Sequence, residues 1–129
     1  MTRHELREVI FKRIFQLPFQ GEEVPQIDIT EDYKVKEDDL LYINDKVEAI
    51  IEKLDTIDES IEKNSNGWKT TRMGKAELAI LRVAVYEIKY DDDIPDKVAV
   101  NEAVELAKEY CDEKSAPFIN GVLSGVIAQ

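Results

Sequence analysis

Apolar residues recur at three- and four-residue intervals along most of this chain. That interval places them on one face of an α-helix, whereas a half-buried strand would alternate apolar and polar residues. No two segments alternate in the way that paired strands require. The sequence therefore predicts an all-α protein, a helical bundle of about six or seven helices. The clearest helices are predicted over residues 3–17, 38–54, 55–64, 75–90, 96–111 and 116–128.

Helix-breaking residues divide the chain into two parts. Pro18 ends the first predicted helix because proline has no N–H to donate. Residues 18–36 then form a connection with room for at most one short extended piece. The run Asn64-Ser65-Asn66-Gly67 is a second strong breaker. We expect a single domain over residues 1–129, with an N-terminal helical subdomain over 1–66 and a C-terminal one over 67–129.

Charge is unevenly distributed. The 129 residues carry a net charge of −11, which by itself disfavours a general nucleic-acid binder because the phosphate backbone repels an acidic protein. Residues 1–20 nevertheless carry four Lys or Arg against two Glu, and residues 66–90 carry five against two. If these two basic segments meet in space, the fold has a cationic surface despite its acidic total.

The sequence offers little material for catalysis or for a cofactor. One cysteine excludes an intrachain disulfide, and one histidine with one cysteine excludes a zinc site built from those ligands. There is no glycine-rich phosphate loop, and no nucleophile stands beside a base. We therefore expect no enzyme, no metal and no cofactor. The cysteine content fits a reducing compartment, and charges interrupt the apolar start, so we expect a cytoplasmic protein without a signal peptide or membrane span.

Several residues admit a functional and an ordinary interpretation. Asp91-Asp92-Asp93 is interpreted as a solvated acidic loop before a helix rather than a cation site. Glu102 and Glu105 are interpreted as surface carboxylates, and Cys111 as a buried small hydrophobe. Three aromatic residues could stack on bases or pack in the core, and packing is preferred for the first of them: Trp68, Tyr110 and Phe118. Two amides are expected to close helix ends by hydrogen bonds: Asn101 and Asn120.

The first predicted helix has the clearest case for ligand binding. Arg3, Arg7 and either His4 or Lys12 share a stripe that is predicted to face solvent. Arginine presents a planar fork that suits phosphate, so such a stripe can follow a nucleic-acid backbone. The alternative is an ordinary solvated helix face. Thr2 with Glu5 three residues later predicts a capping box at the start of this helix.

Four stretches of the chain resemble one family closely: Gly67-Trp68, GKAELAILRVAVYEI (74–88), DIPDKVAVNEAVELAKEY (93–110) and SAPFINGVLSGV (115–126). In this order they are similar to the NusB family of transcription antitermination factors. The resemblance implies an all-helical fold of two subdomains and no catalysis. It also implies binding to the single-stranded boxA element of nascent ribosomal RNA transcripts, a heterodimer with the ribosomal protein NusE, and assembly with other Nus factors and RNA polymerase.

The resemblance also assigns roles to residues. Arg3, His4 and Arg7 stand where the family has its arginine-rich helix, and Lys12 extends the same basic stripe. Phe118 and Asn120 match a motif that lies by the RNA-binding surface of the family. Two further residues match positions that the family turns towards NusE: Phe15 and Glu77.

Other functions stay open on the sequence alone. The chain could be a protein-interaction scaffold whose RNA contacts come mainly from its partner, or an accessory domain for an RNA-modifying enzyme. A homodimer that hides the basic helix is also compatible with the sequence. Charge reversal at Arg7 is expected to separate direct RNA binding from the scaffold.

Overall fold

The computed structural model describes residues 1–17 and 35–129. Within these ranges the chain forms six α-helices and no strand, which confirms the all-α prediction. No helix of the described residues is both long and apolar enough to cross a membrane. The helices are α1 (Arg3–Phe15), α2 (Glu37–Glu52), α3 (Leu54–Lys63), α4 (Lys75–Tyr90), α5 (Asp96–Tyr110) and α6 (Ser115–Ile127).

The helix boundaries follow the sequence closely. Each helix lies within two residues of its predicted range, and one short 3₁₀ turn, Thr70–Arg72, precedes α4. Most of the connection predicted over residues 18–36 lies outside the described residues. The spacing of apolar residues over 38–54 predicts that Leu40 and Ile51 face inward on α2. That prediction was wrong, since they are 41% and 44% exposed.

Helix α4 is the centre of the bundle and packs against each of the other five helices. This explains its nearly continuous burial, because a helix that is covered on several sides cannot keep a polar face. Side chains from both halves of the sequence join one core, among them Ile10, Ile50, Leu81, Leu106 and Leu123. The division into subdomains at residue 66 stays a prediction.

Three ion pairs connect α4 and the residue after it to neighbouring helices. Arg82 on α4 is 4% exposed and binds Asp58 on α3 through two hydrogen bonds of 2.8 and 2.7 Å. Lys46 on α2 lies 2.8 Å from Asp91, the residue that follows α4. The third pair connects α1 to α4 and belongs to the site described below.

The predicted breaker before residue 68 is present as a turn. Asn66 and Gly67 both have positive φ, at 53° and 86°, a conformation that glycine adopts without the strain of a side chain. The hydroxyl of Ser65 donates to the carbonyl of Trp68 over 2.7 Å and closes the turn. Core packing of Trp68 was a wrong prediction, since its side chain is 55% exposed.

Candidate nucleic-acid interface

The N-terminal end of α1 presents two basic side chains to solvent. The predicted capping box is present: Glu5 N donates to Thr2 Oγ1 over 3.1 Å, and Thr2 N donates to Glu5 Oε1 over 2.9 Å. The cap satisfies N–H groups that the first helical turn leaves without partners, so the helix begins at Arg3. Arg3 and His4 are both exposed there, as the basic stripe requires.

Arg7 does not share this exposure, and its predicted place on a solvent-facing stripe was wrong. Its side chain is buried and forms two short hydrogen bonds to Glu87 on α4, Nε to Oε1 at 2.9 Å and Nη2 to Oε2 at 2.7 Å. Arg7 stands three residues before Ile10 and seven before Ile14, both buried, so it lies on the packed face of α1. Arg7 therefore positions the basic end of α1 and is poorly placed to reach a phosphate itself.

Glu102 on α5 connects His4 and Arg7. Its Oε2 lies 3.0 Å from His4 Nδ1 and 3.8 Å from Arg7 Nη1. The hydrogen bond to this carboxylate raises the pKa of His4 above its usual value of 6.5, against the opposing effect of burial. His4 therefore carries positive charge over a wider pH range than a free imidazole. The interpretation of Glu102 as a plain surface carboxylate was incomplete, whereas Glu105 is exposed and pairs with Lys108.

Lys12 lies two turns farther along α1, beside α5. Its ammonium is 3.8 Å from Glu8 Oε1 and 5.9 Å from the ring centre of Tyr110. Burial and a hydrogen bond with Glu8 raise the pKa of Tyr110 to about 12. Tyr110 thus packs against α1 while part of its side chain stays exposed. Of the two interpretations of this residue, packing within the protein is therefore met in part.

One side-chain cluster on this surface has the composition of a cation site. Ligand atoms of His4, Glu8 and Glu109 all lie within 4.8 Å of one another. His4 and Glu109 are exposed, and Glu8 already interacts with Lys12 and Tyr110. These contacts account for the grouping without an ion.

Phe118 and Asn120 lie on α6, which packs against α5, α4 and α3. Phe118 is half-buried against the core, and Asn120 is exposed. Helix α5 also contacts α1, through His4 with Glu102 and through the tilted rings of Phe11 and Tyr110. The contacts between helices thus place α5 beside both elements but do not bring Phe118 or Asn120 against Arg3. Asn101 and Asn120 are both exposed and their side chains form no hydrogen bond within residues 1–17 and 35–129, so the expectation that they close helix ends was wrong.

The two residues predicted to face a partner protein lie in different surroundings. Phe15 is 43% exposed at the end of α1, where its ring lies 6.3 Å from that of Phe11. Phe11 in turn contacts Tyr110 at 5.0 Å, so the aromatic rings form one ridge along α1 and α5.

Glu77, by contrast, is engaged inside the protein. Its Oε1 accepts from Gly74 N over 3.1 Å and its Oε2 accepts from Ser115 Oγ over 2.8 Å. It caps α4 and fastens the start of α6 to it. Any contact of Glu77 with a partner has to coexist with these two hydrogen bonds.

Sequence reasoning missed the residues that hold the site. Glu87 and Glu102 orient the basic end of α1, and Lys46 fixes Asp91 beside it. One signal was available: Glu87 and Arg82 are the two charged residues in the otherwise apolar run 78–88, and a carboxylate on the buried part of a helix needs a cationic partner. Spacing could not say which cation that was.

The fold and this surface define an all-helical protein with one continuous core and a basic helix end that faces solvent. A family model described as the NusB family matches residues 4–128, and the chain belongs to the NusB family.

Relatives and solved structures agree with this assignment. The chain is 47% identical over 128 residues to the transcription antitermination protein NusB of Agathobacter rectalis, covering 96% of this chain and 98% of the relative. A crystal structure of T. maritima NusB superimposes with a TM-score of 0.85 at 28% identity, covering 100% of this chain and 92% of the other. A structure of the antitermination factors NusB and NusE in complex with dsRNA gives 0.83 at 27% identity, covering 99% and 98%.

Proposed function

We propose that this protein is a non-enzymatic transcription antitermination factor that binds the boxA element of nascent ribosomal RNA transcripts together with NusE. The relatives that carry the name NusB cover nearly the whole chain at 40 to 48% identity. A structural relative at 27% identity is solved with NusE and RNA. The proposal extends to other Nus factors and RNA polymerase as further partners, and to the cytoplasm as the place of action.

The observation that carries the RNA part of the proposal is the exposed pair Arg3 and His4 on an anchored helix end. The capping box starts the helix, and the buried Arg7–Glu87 pair fixes its rotation against α4. The helix end that carries Arg3 and His4 is therefore fixed before RNA arrives, which lowers the entropy lost on binding.

Net charge argues that the complex with NusE, and not the free chain, is the tight RNA binder. At −11 the protein repels phosphate over most of its surface, and each phosphate contact to a single strand adds only about −0.7 to the salt slope. A basic ribosomal protein would be attracted to this acidic surface and would add its own cations to the RNA site. The exposed aromatic ridge at Phe15 offers that partner an apolar contact.

The test is fluorescence anisotropy with a short boxA RNA and a scrambled RNA, with and without NusE, at two salt concentrations. We expect selective binding of boxA RNA that tightens when NusE is present. No preference for boxA and no gain from NusE would refute the proposal.

Charge reversal at Arg3 separates direct RNA binding from the scaffold alternative. Arg3→Glu is expected to weaken RNA binding by the NusE complex while leaving NusE binding unchanged, because Arg3 is at the opposite end of α1 from Phe15, the residue proposed to contact NusE. Unchanged RNA binding would favour a scaffold whose partner makes the RNA contacts. Arg7→Glu does not serve here, since it would place a second carboxylate against the buried Glu87.

A further inference from the structure

A cavity of about 220 Å³ opens beside the basic end of α1. It lies where α1 and α2 meet the loop that joins α4 to α5. Part of its wall is apolar or aromatic and is formed by Leu6, Ile10, Tyr42 and Ile94. A planar ring of the size of a nucleobase fits a space of this volume and lining.

The charged part of the wall is held by two internal ion pairs. Arg7 binds Glu87, and Lys46 lies 2.8 Å from Asp91. Burial lowers the pKa of Lys46, but hydrogen bonds to Asp91 and Tyr42 more than offset this and leave it raised. Lys46 Nζ is also 3.0 Å from Tyr42 Oη and 5.2 Å from the centre of its ring. The aromatic wall is thus fixed before any ligand enters.

Two further charged residues in the lining have unused binding capacity. Arg3 and Asp93 are both exposed. Neither side chain forms an ion pair in residues 1–17 and 35–129. Arg3 offers donors to a phosphate oxygen, and the ionised Asp93 carboxylate can only accept hydrogen bonds.

We propose that this cavity receives one unstacked, amino-bearing base of the bound RNA. The base packs among Leu6, Ile94 and Tyr42, its exocyclic amino group donates to Asp93, and Arg3 contacts the adjoining phosphate. Adenine, cytosine and guanine carry such an amino group, whereas uracil turns a carbonyl oxygen to the same place and meets the carboxylate unfavourably. The inference rests on the proposed RNA-binding function and adds where, and which kind of base, the protein reads.

The experiment uses the full chain with NusE and a set of boxA RNAs in which each nucleotide in turn is made abasic or replaced by uridine. Wild-type protein is expected to lose affinity about ten-fold when one amino-bearing position is made abasic, the usual cost of one stacked base. Uridine at the same position should also weaken binding, because it lacks the amino group that donates to Asp93. Tyr42→Ala should abolish the loss that the abasic change causes at that position and leave the losses at other positions unchanged. Leu41→Ala is the control, because Leu41 is 61% exposed and outside the cavity lining.

Asp93→Ala tests the choice of base. It is expected to remove the penalty for uridine at the same position. Removing an acidic charge also strengthens binding to any RNA, so Asp92→Ala is the matched control: Asp92 is a neighbouring exposed aspartate that does not line the cavity. Asp92→Ala should raise all affinities alike and keep the uridine penalty.

Two outcomes overturn the inference, and they differ in what they say of the proposed function. In the first, the complex binds boxA RNA selectively, but Tyr42→Ala and Asp93→Ala give the same affinity loss at every RNA position as their control variants. The cavity is then not a base site, and the proposed function stands. If neither the wild-type complex nor any variant complex binds boxA RNA selectively, the inference and the proposed function fail together. Circular dichroism of each variant checks that it is folded.

Discussion

Arg7 and Glu87 are eighty residues apart in the chain, yet they form a two-point ion pair inside the bundle, at 2.9 and 2.7 Å. Their side chains are 9% and 2% exposed. The planar guanidinium matches both carboxylate oxygens, which is the strongest geometry available to an ion pair. This pair fixes how α1 is rotated on α4, and therefore which of its basic residues reach solvent.

Removal of one partner should be costly. Arg7→Met leaves the carboxylate of Glu87 buried without a cation, and we expect the free energy of unfolding to fall by about 3–5 kcal/mol. Urea denaturation followed by circular dichroism measures this change.

The double variant Arg7→Met with Glu87→Leu is the control for that loss. It replaces the pair by apolar side chains of similar size and should recover most of the stability. A loss below about 1 kcal/mol in the single variant would mean that water reaches the pair, as it does at exposed salt bridges.

The ionisation of His4 should depend on Glu102. The chain has one histidine, so a single imidazole signal in an NMR titration reports it. Because the hydrogen bond that protonated His4 donates to Glu102 is the largest cause of the raised pKa, Glu102→Gln is expected to lower the pKa of His4. Glu105→Gln is the matched control, since Glu105 pairs with Lys108 instead and should leave the titration unchanged.

The sign of the stability effect follows from the raised pKa. A group that binds its proton more tightly in the folded state stabilises the fold fully below its unfolded pKa, and the effect is lost as pH rises through the folded value. The His4 contribution is therefore present below about pH 6.5 and absent well above it. RNA affinity of the NusE complex should fall in the same direction as pH rises. An affinity that rises with pH would contradict a cationic role for His4.

The helices and most of the core could be predicted from the sequence because both follow from local spacing. Stripes of Ile, Leu and Val identify the buried face of a helix wherever only one face is covered, as in α3 with Ile57 and Ile61. The same reasoning failed for Arg7, although Arg7 stands at helical spacing from Ile10 and Ile14 on the face of α1 that packs on α4 and α2. A cation on that face needs a buried partner, and local spacing does not show one.

Side-chain partners distant in sequence were the other missing information. Nothing in the local pattern pairs Arg82 with Asp58 or His4 with Glu102, since such pairs depend on how the helices pack. Trp68 shows the converse error: a large aromatic residue was expected in the core, but it directly follows Gly67, in a turn on the surface. The identities of the basic residues at the site and the exposure of Arg3 and His4 were predictable, but the burial of Arg7 was not.

Glu77 gives a test of whether one carboxylate serves both the fold and a partner. Ser115→Ala removes one of its two hydrogen bonds and should lower the free energy of unfolding by about 1 kcal/mol. Glu77→Ala removes that bond and the cap of α4, and should cost more.

Glu77→Gln then isolates the charge. The amide oxygen can still accept from Gly74 N and the amide group can still bond to Ser115, so stability should be nearly kept. If Glu77 faces NusE through its charge, this variant weakens NusE binding in a calorimetric titration while its unfolding curve stays close to that of the wild type. Equal affinity of wild type and Glu77→Gln would leave Glu77 with the structural role alone.

Two glycines on α6 should respond to alanine with opposite signs. A Cβ added at Gly125 would lie 2.5 Å from Asn64 Oδ1 and 3.1 Å from Asn64 Cβ, so the side chain that donates to Ser60 O must move. We expect Gly125→Ala to lower the free energy of unfolding by about 1–3 kcal/mol. A Cβ added at Gly121 meets nothing within 4 Å, and there the better helix propensity of alanine should raise stability by up to about 1 kcal/mol. Parallel urea denaturation of the two variants measures both changes. A stabilising Gly125→Ala would mean that α6 and the end of α3 are less closely packed than the contact between Gly125 and Asn64 requires.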